Sequence, residues 1–301
     1  MKMAWLKRAS AMLFRHRTPR IHLYTICWNE ADILPFFFRH YDGWVDRFVI
    51  YDNGSSDQSR ALLQQHPKVE VRDFPWSNPK SFVLSQQRLF DKCWRESRGR
   101  VDWVIVTDLD EHLYHPDLGG YLRACMRRGV TCIPALGYEM ISDRFPQPDE
   151  WLAKSITRGT PSRKMNKLRL FDPDAVRETR FTTGCHRADP KGRIRYPHRD
   201  ELLLLHYKNL GIEYRLLRNR MLFDELRPED VEKGRGHGYV GTREEVEALF
   251  KHEASAAIDV TAASYRPWDE TLARPRWWRE PWPKRQRPAG TEPVQAHQPP
   301  R

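Results

Sequence analysis

Between Ile21 and Thr107 the chain alternates short runs of β-branched and aromatic residues with helix-spaced segments, and few folds accommodate that pattern. The runs are Ile21–Trp28 (IHLYTICW), Arg47–Tyr51 (RFVIY), Val69–Arg72 and Asp102–Thr107 (DWVIVT), each reading as a strand. Between them Ala31–Tyr41, Gln58–Gln65 and Ser81–Glu96 carry apolar residues at helical spacing, with Ser56 or Asp57 as the expected N-cap of the second. Strands separated by helices over residues 21–107 imply a parallel sheet with crossover helices. Ligands of such sheets sit outside the carboxyl ends of the strands. Asn29-Glu30, Asp52–Asp57 and Asp108–Glu111 all fall at such ends.

Beyond Gly129 the alternation loosens. Val130–Tyr138, Lys167–Phe171 and Glu201–Lys208 read as strands, and Glu213–Glu225 and Arg243–His252 as helices. The expected organisation is a basic arm over 1–20, a catalytic domain over 21–260 (halves 21–128 and 129–260), and a Pro/Trp-rich, partly unpacked tail over 261–301. Net charge is +11, but residues 1–20 carry six basic residues and no acid, and 281–301 carry four against one. The 41 basic and 39 acidic residues left over 21–280 suit an enzyme, not a nucleic-acid groove. Five scattered cysteines with no CxxC pair indicate buried thiols, not a zinc site or disulfide framework. No run of apolar residues is long enough to span a bilayer. The N-terminal apolar letters are broken by Lys7, Arg8 and Ser10, unlike a secretory signal; a basic amphipathic membrane-surface helix and a solvated arm both fit. The expected location is cytoplasmic, with membrane association open.

Asp108-Leu109-Asp110 is a D-x-D following a buried strand, where strand alternation turns both carboxylates to one side. Two hard oxygen ligands suit Mg²⁺ or Mn²⁺ shared with a substrate diphosphate. Asp172-Pro173-Asp174 has the same spacing but reads as a turn. In Asp52-Asn53-Gly54-Ser55-Ser56-Asp57 the glycine permits a tight turn, and the hydroxyls and amides suit an anion or a helix cap.

The strings ICWNEADILPFFFRHY, VIYDNGSSDQS, SQQRLFDKC and WVIVTDLDEHL, in that order over 21–118, resemble glycosyltransferase family 2 and its GT-A relatives, in particular the branch with an N-E first motif. RKMNKLRLFDP, FTTGCHRADPKG and LLLLHYKNLGIEYRLLRNR, within 163–220, resemble the same branch. The resemblance implies an α/β, GT-A (Rossmann-like) fold with a mixed, mostly parallel sheet flanked by helices. It implies inverting transfer of a sugar from a nucleotide-sugar donor to the hydroxyl of a glycan or glycolipid acceptor, in polysaccharide or glycoconjugate synthesis. Trp28, Asn29 and Glu30 would lie beside the nucleotide and Asp52 on its base or ribose; Gln86 and Arg88 stand where donor-binding residues occur, or are structural helix positions. Asp108 and Asp110 would hold Mn²⁺ or Mg²⁺, with Asp110 in direct contact and a late histidine joining them: His206 first, His186 second. A divalent ion offsets charge on the leaving diphosphate, and the basic cluster Lys164, Lys167 and Arg169 would face that diphosphate or solvent. The Glu-Asp pair that many family members use as base is missing here, which leaves Glu139 and Asp143 in GYEMISDRF as candidates for the proton-accepting base. A nucleotidyltransferase of related fold is the alternative enzyme, though CWNEADIL lacks the glycine-rich basic loop it needs. A non-catalytic binding protein is the other alternative.

Overall fold

The runs at the start of the chain form the strands that their composition predicts. A computed structural model describes residues 18–239 and 241–280. Its strands are β1 (Ile21–Cys27), β2 (Arg47–Asp52), β3 (Val69–Asp73), β4 (Trp103–Val106), β5 (Glu111–Tyr114), β6 (Cys132–Ser142), β7 (Arg158–Pro161), β8 (Lys167–Phe171), β9 (Val176–Glu178), β10 (Lys191–Gly192), β11 (Leu203–Leu210) and β12 (Ile258–Asp259). Its helices are α1 (Leu34–Tyr41), α2 (Ser59–Gln65), α3 (Phe82–Phe90), α4 (Leu118–Arg127), α5 (Leu152–Ser155), α6 (Ile212–Asp224), α7 (Pro228–Glu232) and α8 (Arg243–Ala256).

The main sheet runs β12-β7-β6-β8-β4-β1-β2-β3, with β11 pairing both β6 and β5. β3, β2, β1 and β4 are mutually parallel, as the alternation of strand and helix predicts. β8 then lies antiparallel between β4 and β6, and β11 runs parallel to β6 and antiparallel to β5. The result is the α/β architecture of a mixed sheet flanked by helices. One core cluster, including Leu23, Phe37, Phe48 and Leu204, and a second, including Tyr24, Val49, Trp94 and Val104, draw alternate residues from the same strands.

Several boundaries shift for local reasons. α1 starts at Leu34 because Pro35 fits only the first turn of a helix. The helix expected to reach Glu96 ends at Phe90, followed by a tighter turn over Cys93–Ser97. Asp91, which follows it, accepts hydrogen bonds from Thr179 Oγ1 (2.7 Å) and the Phe181 amide (2.9 Å), holding a distant loop. Neither Ser56 nor Asp57 is the N-cap of α2; that position is Gln58. β5 and α4 escaped the sequence reading, because β5 begins inside the polar motif at Glu111 and α4 contains Gly119 and Gly120. Asp172 accepts from the amides of Asp174 (2.8 Å) and Ala175 (3.2 Å), the turn expected there. All five cysteines are buried and free. Among the described residues no helix is long and apolar enough to cross a membrane.

Within the Pro/Trp-rich segment expected from 261, residues up to 280 pack against the domain. Asn166 Nδ2 donates to the Ala273 carbonyl (2.7 Å) and Trp277 Nε1 to the Asn166 carbonyl (2.9 Å). Asp200, itself buried, ion-pairs with Arg276 (2.9 Å) and Arg279 (2.7 Å). The rest of the expected tail, 281–301, and residues 1–17 of the expected arm lie outside the described residues. Removing one partner of a buried ion pair leaves the other charge uncompensated, at about 3–5 kcal/mol. Asp200→Ala is therefore expected to lower unfolding free energy by about 3 kcal/mol in urea titration; an unchanged midpoint would show that this segment adds nothing to the fold.

Candidate active site

Asp108, Leu109 and Asp110 lie in the turn between β4 and β5, with Leu109 packed into the core. Strand register decides what meets them. In β11, His206 stands opposite Glu139 of β6 on one side and Glu111 of β5 on the other. The Tyr207 amide donates to the Asp110 carbonyl (2.8 Å), fixing the turn against β11. His206 Nδ1 lies 2.7 Å from Glu139 Oε2, and its Nε2 lies 3.1 Å from Asp110 Oδ2. Glu139, His206 and Asp110 thus form one line across three elements. Burial alone would lower the His206 pKa, but Glu139 and Asp110 outweigh it and raise the imidazole to about 10. Against the upward push of burial, the same imidazolium holds Asp110 and Glu139 below the usual carboxylate range.

A second set of charges lies beside the first. Arg169, fully buried in β8, binds Asp108 (2.8 Å) and Glu111 (2.7 Å). Lys167, also buried, binds Glu111 (2.5 Å) and lies 4.0 Å from Asp108. Gln86 Nε2 donates to the other Asp108 oxygen (2.9 Å). Burial, followed by the Glu111 charge, raises Asp108 to about 6. Against burial, Arg169 and Lys167 hold Glu111 far below the usual range. For Lys167 and Arg169 neither reading of the basic cluster holds: they face neither solvent nor an open diphosphate site, because β8 is buried along its whole length and its cations are already paired. Lys164 is exposed, and its carbonyl is 2.9 Å from His186 Nδ1.

The carboxyl end of β1 lies close by, within reach of the Asp110 charge. Arg218 of α6 ion-pairs with Glu30, donates to the Asn29 carbonyl (3.1 Å) and lies 5.7 Å from the Trp28 ring centre. Burial raises Glu30 to about 8, against the pull of Arg218. Asn29 takes a positive φ of 50°, and its Oδ1 accepts from the amides of Ser56 (2.8 Å) and Asp57 (3.3 Å). The Ser55 amide is turned toward Asp52 Oδ1 (3.3 Å), and Ser59 Oγ accepts from the Glu30 amide (2.8 Å). These amides of the DNGSSD loop are thus engaged within the protein, which corrects the expectation that they bind an anion. Gly54 sits at φ 75° where the chain turns. Asp52 is buried and paired with Arg60 (2.9 Å), so its carboxylate is covered where a base or ribose contact was expected. A cleft of about 540 Å³ opens between Asn29–Ile33, Ser56–Gln58 and the α6 side chains Tyr214, Leu217, Arg218 and Met221.

Three expected residues stand apart. Arg88 is exposed and donates to the Ser77 carbonyl (3.2 Å), on the outer side of α3 from Gln86. Asp143 is exposed in the bend after β6, outside the Glu139–His206–Asp110 line. His186 has its Nδ1 engaged and is pushed down to about 4, chiefly by Lys167. Arg218, Lys208 and Tyr239 were missed. The i, i+3, i+4, i+7 spacing of Tyr214, Leu217, Arg218 and Met221 marks one face of α6, and it is the signal that would have found Arg218. Lys208 shares the His206 face of β11 by alternation, and its ammonium lies 5.9 Å from the Tyr239 ring centre.

Among the described residues no group of three or more His, Cys, Asp or Glu side chains is poised to hold a metal. His206 and Asp110 nonetheless suit a divalent ion that draws its remaining ligands from substrate phosphates, since the imidazole and the carboxylate already converge. Over residues 28–167 the chain resembles glycosyltransferase family 92. The sequence motifs resemble family 2; the profile that matches is that of family 92, and both are glycosyltransferase families. No curated protein sequence matches. Among solved structures, glucosyl-3-phosphoglycerate synthase from Mycobacterium tuberculosis, in complex with Mn²⁺, UDP and glucosyl-3-phosphoglycerate, is 16% identical over 40% of this chain and 44% of its own, with a TM-score of 0.29. S. aureus TarS is 10% identical over 78% of this chain and 43% of its own, with a TM-score of 0.35. This chain therefore spans less than half the length of either, and at these scores the likeness carries no argument about activity.

The raised His206 pKa gives a signed expectation. A group whose folded pKa lies above its unfolded value of about 6.5 stabilises fully below that pH, and the contribution is lost as pH rises through about 10. In metal-free protein, His206→Ala should cost more stability near pH 6 than near pH 10 by urea titration (both values about the limits of that window). An equal cost at both ends would show that His206 is not an imidazolium.

Proposed function

We propose that this protein is a metal-assisted glycosyltransferase that takes its sugar from a nucleotide-sugar donor. One observation carries the reading: the line Glu139–His206–Asp110 presents an imidazole and a carboxylate together at the carboxyl end of a nucleotide-binding type of sheet. The match to family 92 over residues 28–167 supports the reaction class. Asp110 and His206 would hold Mn²⁺ or Mg²⁺, which supplies positive charge to the leaving diphosphate. Arg218 offers a fixed cation on the β1 side of the cleft, aligned by Glu30 and the Asn29 carbonyl. Trp28, beneath that guanidinium, flanks the donor.

In this reading Asp108 binds no metal; Arg169 and Gln86 hold its two oxygens, and it shapes the turn that presents Asp110. Glu139 is a positioning residue. By accepting the Nδ1 proton of His206 it directs Nε2 toward Asp110, the carboxylate–histidine arrangement that orients a metal-binding imidazole. The family 2 resemblance implies inversion, which needs a carboxylate to take the acceptor's proton. With Glu139 committed to His206, the remaining candidate is Asp143 at the surface after β6.

Binding of UDP-sugars and GDP-sugars with and without Mn²⁺ tests the reading. At least one donor should bind in a Mn²⁺-dependent way, and Asp110→Asn should abolish that dependence while the thermal melt stays near wild type. Absence of Mn²⁺-dependent binding to every donor, in folded protein, would overturn it. Glu139→Gln should weaken Mn²⁺ binding by about 10–100-fold in calorimetry with donor present. If Glu139 were instead the base, Mn²⁺ affinity would be unchanged and only turnover would fall.

A further inference from the structure

β11 does not run evenly past the site. From His206 to Asn209 it takes three steps while β6 takes two, from Glu139 to Ile141, so β11 holds one extra residue directly after His206. Such a bulge interrupts strand pairing and re-aims a side chain. Lys208 lies in it, half-buried, about 7 Å along the strand from His206. Its charge reaches Glu139, and its ammonium lies 5.9 Å from the centre of the Tyr239 ring. The charges of Asp110 and Arg218 both reach that tyrosine as well. Lys208 and Arg218 therefore stand about one point near Asp110.

The balance of charge sets Lys208 apart. Arg169 and Lys167 are paired with Asp108 and Glu111, Arg218 with Glu30, and His206 with Asp110 and Glu139. Among the described residues Lys208 has no carboxylate within ion-pair distance. A half-buried ammonium without a counter-charge favours an anionic ligand. β11 borders β6, whereas Arg218 sits over the end of β1, so the two cations lie on different sides of β4, whose end carries Asp108 and Asp110. A diphosphate whose nucleoside lies toward Trp28 and Arg218 turns its distal phosphate toward β11. We propose that Lys208 is a catalytic residue that holds the distal phosphate of the nucleotide-sugar donor, the one that bears the sugar. This rests on the glycosyltransferase reading above. In the transfer, the bond between the anomeric carbon and the distal phosphate oxygen breaks, and that oxygen keeps both electrons. The acceptor oxygen bonds the carbon and gives its proton to the base. The distal phosphate gains negative charge in that step, so its hydrogen bond to the ammonium strengthens as the sugar leaves.

Calorimetric titration of the full chain with UDP, UMP, GDP and GMP in saturating Mn²⁺ tests this assignment. Lys208→Met should weaken binding of the diphosphate that the wild type takes by about 10–100-fold. The matching monophosphate has no distal phosphate, and its binding should change by less than about twofold. Lys208→Arg, which keeps the charge, should recover most of the loss. The thermal melt of Lys208→Met should stay near wild type; if that variant does not fold, Lys208→Gln should give the same contrast. Because the ammonium meets more charge on the free diphosphate than on the sugar ester, the loss for UDP or GDP should exceed that for the corresponding nucleotide-sugar. A folded variant that binds the diphosphate as wild type does would overturn the proposal. So would equal losses for diphosphate and monophosphate, or for diphosphate and nucleotide-sugar. A wild-type protein that binds neither UDP nor GDP would overturn the glycosyltransferase reading as well, which separates the two failures.

Discussion

Four carboxylates meet at the carboxyl end of the sheet, Glu111 buried and Asp108, Asp110 and Glu139 half-buried, and crowding them there requires cations within hydrogen-bond reach. The protein meets this requirement in two different ways. Asp108 and Glu111 are neutralised by Arg169 and Lys167, whose charges are fixed under ordinary conditions. Asp110 and Glu139 are neutralised by His206, whose charge is a removable proton. Only the second set can give up its cation and accept another. In the proposed function that difference favours Asp110 over Asp108 as the metal-facing carboxylate, the same choice that the family resemblance implies.

The geometry behind this choice is a matter of register. β11 reaches the site because it is wedged between β6 and β5, with His206 opposite both Glu139 and Glu111. A slip by one residue would turn His206 to the other face and replace it with Leu205 or Tyr207. β6 is held in place by a close approach at Gly137, where a Cβ would lie 2.2 Å from that of Met165. Any side chain there would push β6 from the short segment before β8 and disturb the line it shares with β11.

Much of the first half was legible in the sequence. The β1–β4 runs and the D-x-D turn rested on local pattern, the choice of His206 followed from the family resemblance, and the structure brings His206 and Asp110 together. What was hidden depends on contacts between distant residues. Nothing in GYEMISDRF shows that Glu139 faces an imidazole 67 residues later, and KLRLF gives no sign that its cations are buried against Asp108 and Glu111. Asp52 looked available until Arg60 was found covering it. Where residues 261–280 pack was not legible because their prolines and tryptophans carry no periodicity; Asp200 and Asn166 bind them. The similarity to family 92 ends at Lys167, so Arg169, His206 and Arg218, which complete the site, all lie beyond it.

The central claim is that His206 exchanges its proton for a divalent metal shared with Asp110. Calorimetric titration of Mn²⁺ into the UDP-saturated protein near neutral pH, repeated in buffers of different ionisation enthalpy, counts the protons released on binding. The account predicts about one proton per Mn²⁺ from the wild-type protein, and none from His206→Gln, which should also bind more weakly. Tight Mn²⁺ binding without proton release, equal in wild type and His206→Gln, would contradict it.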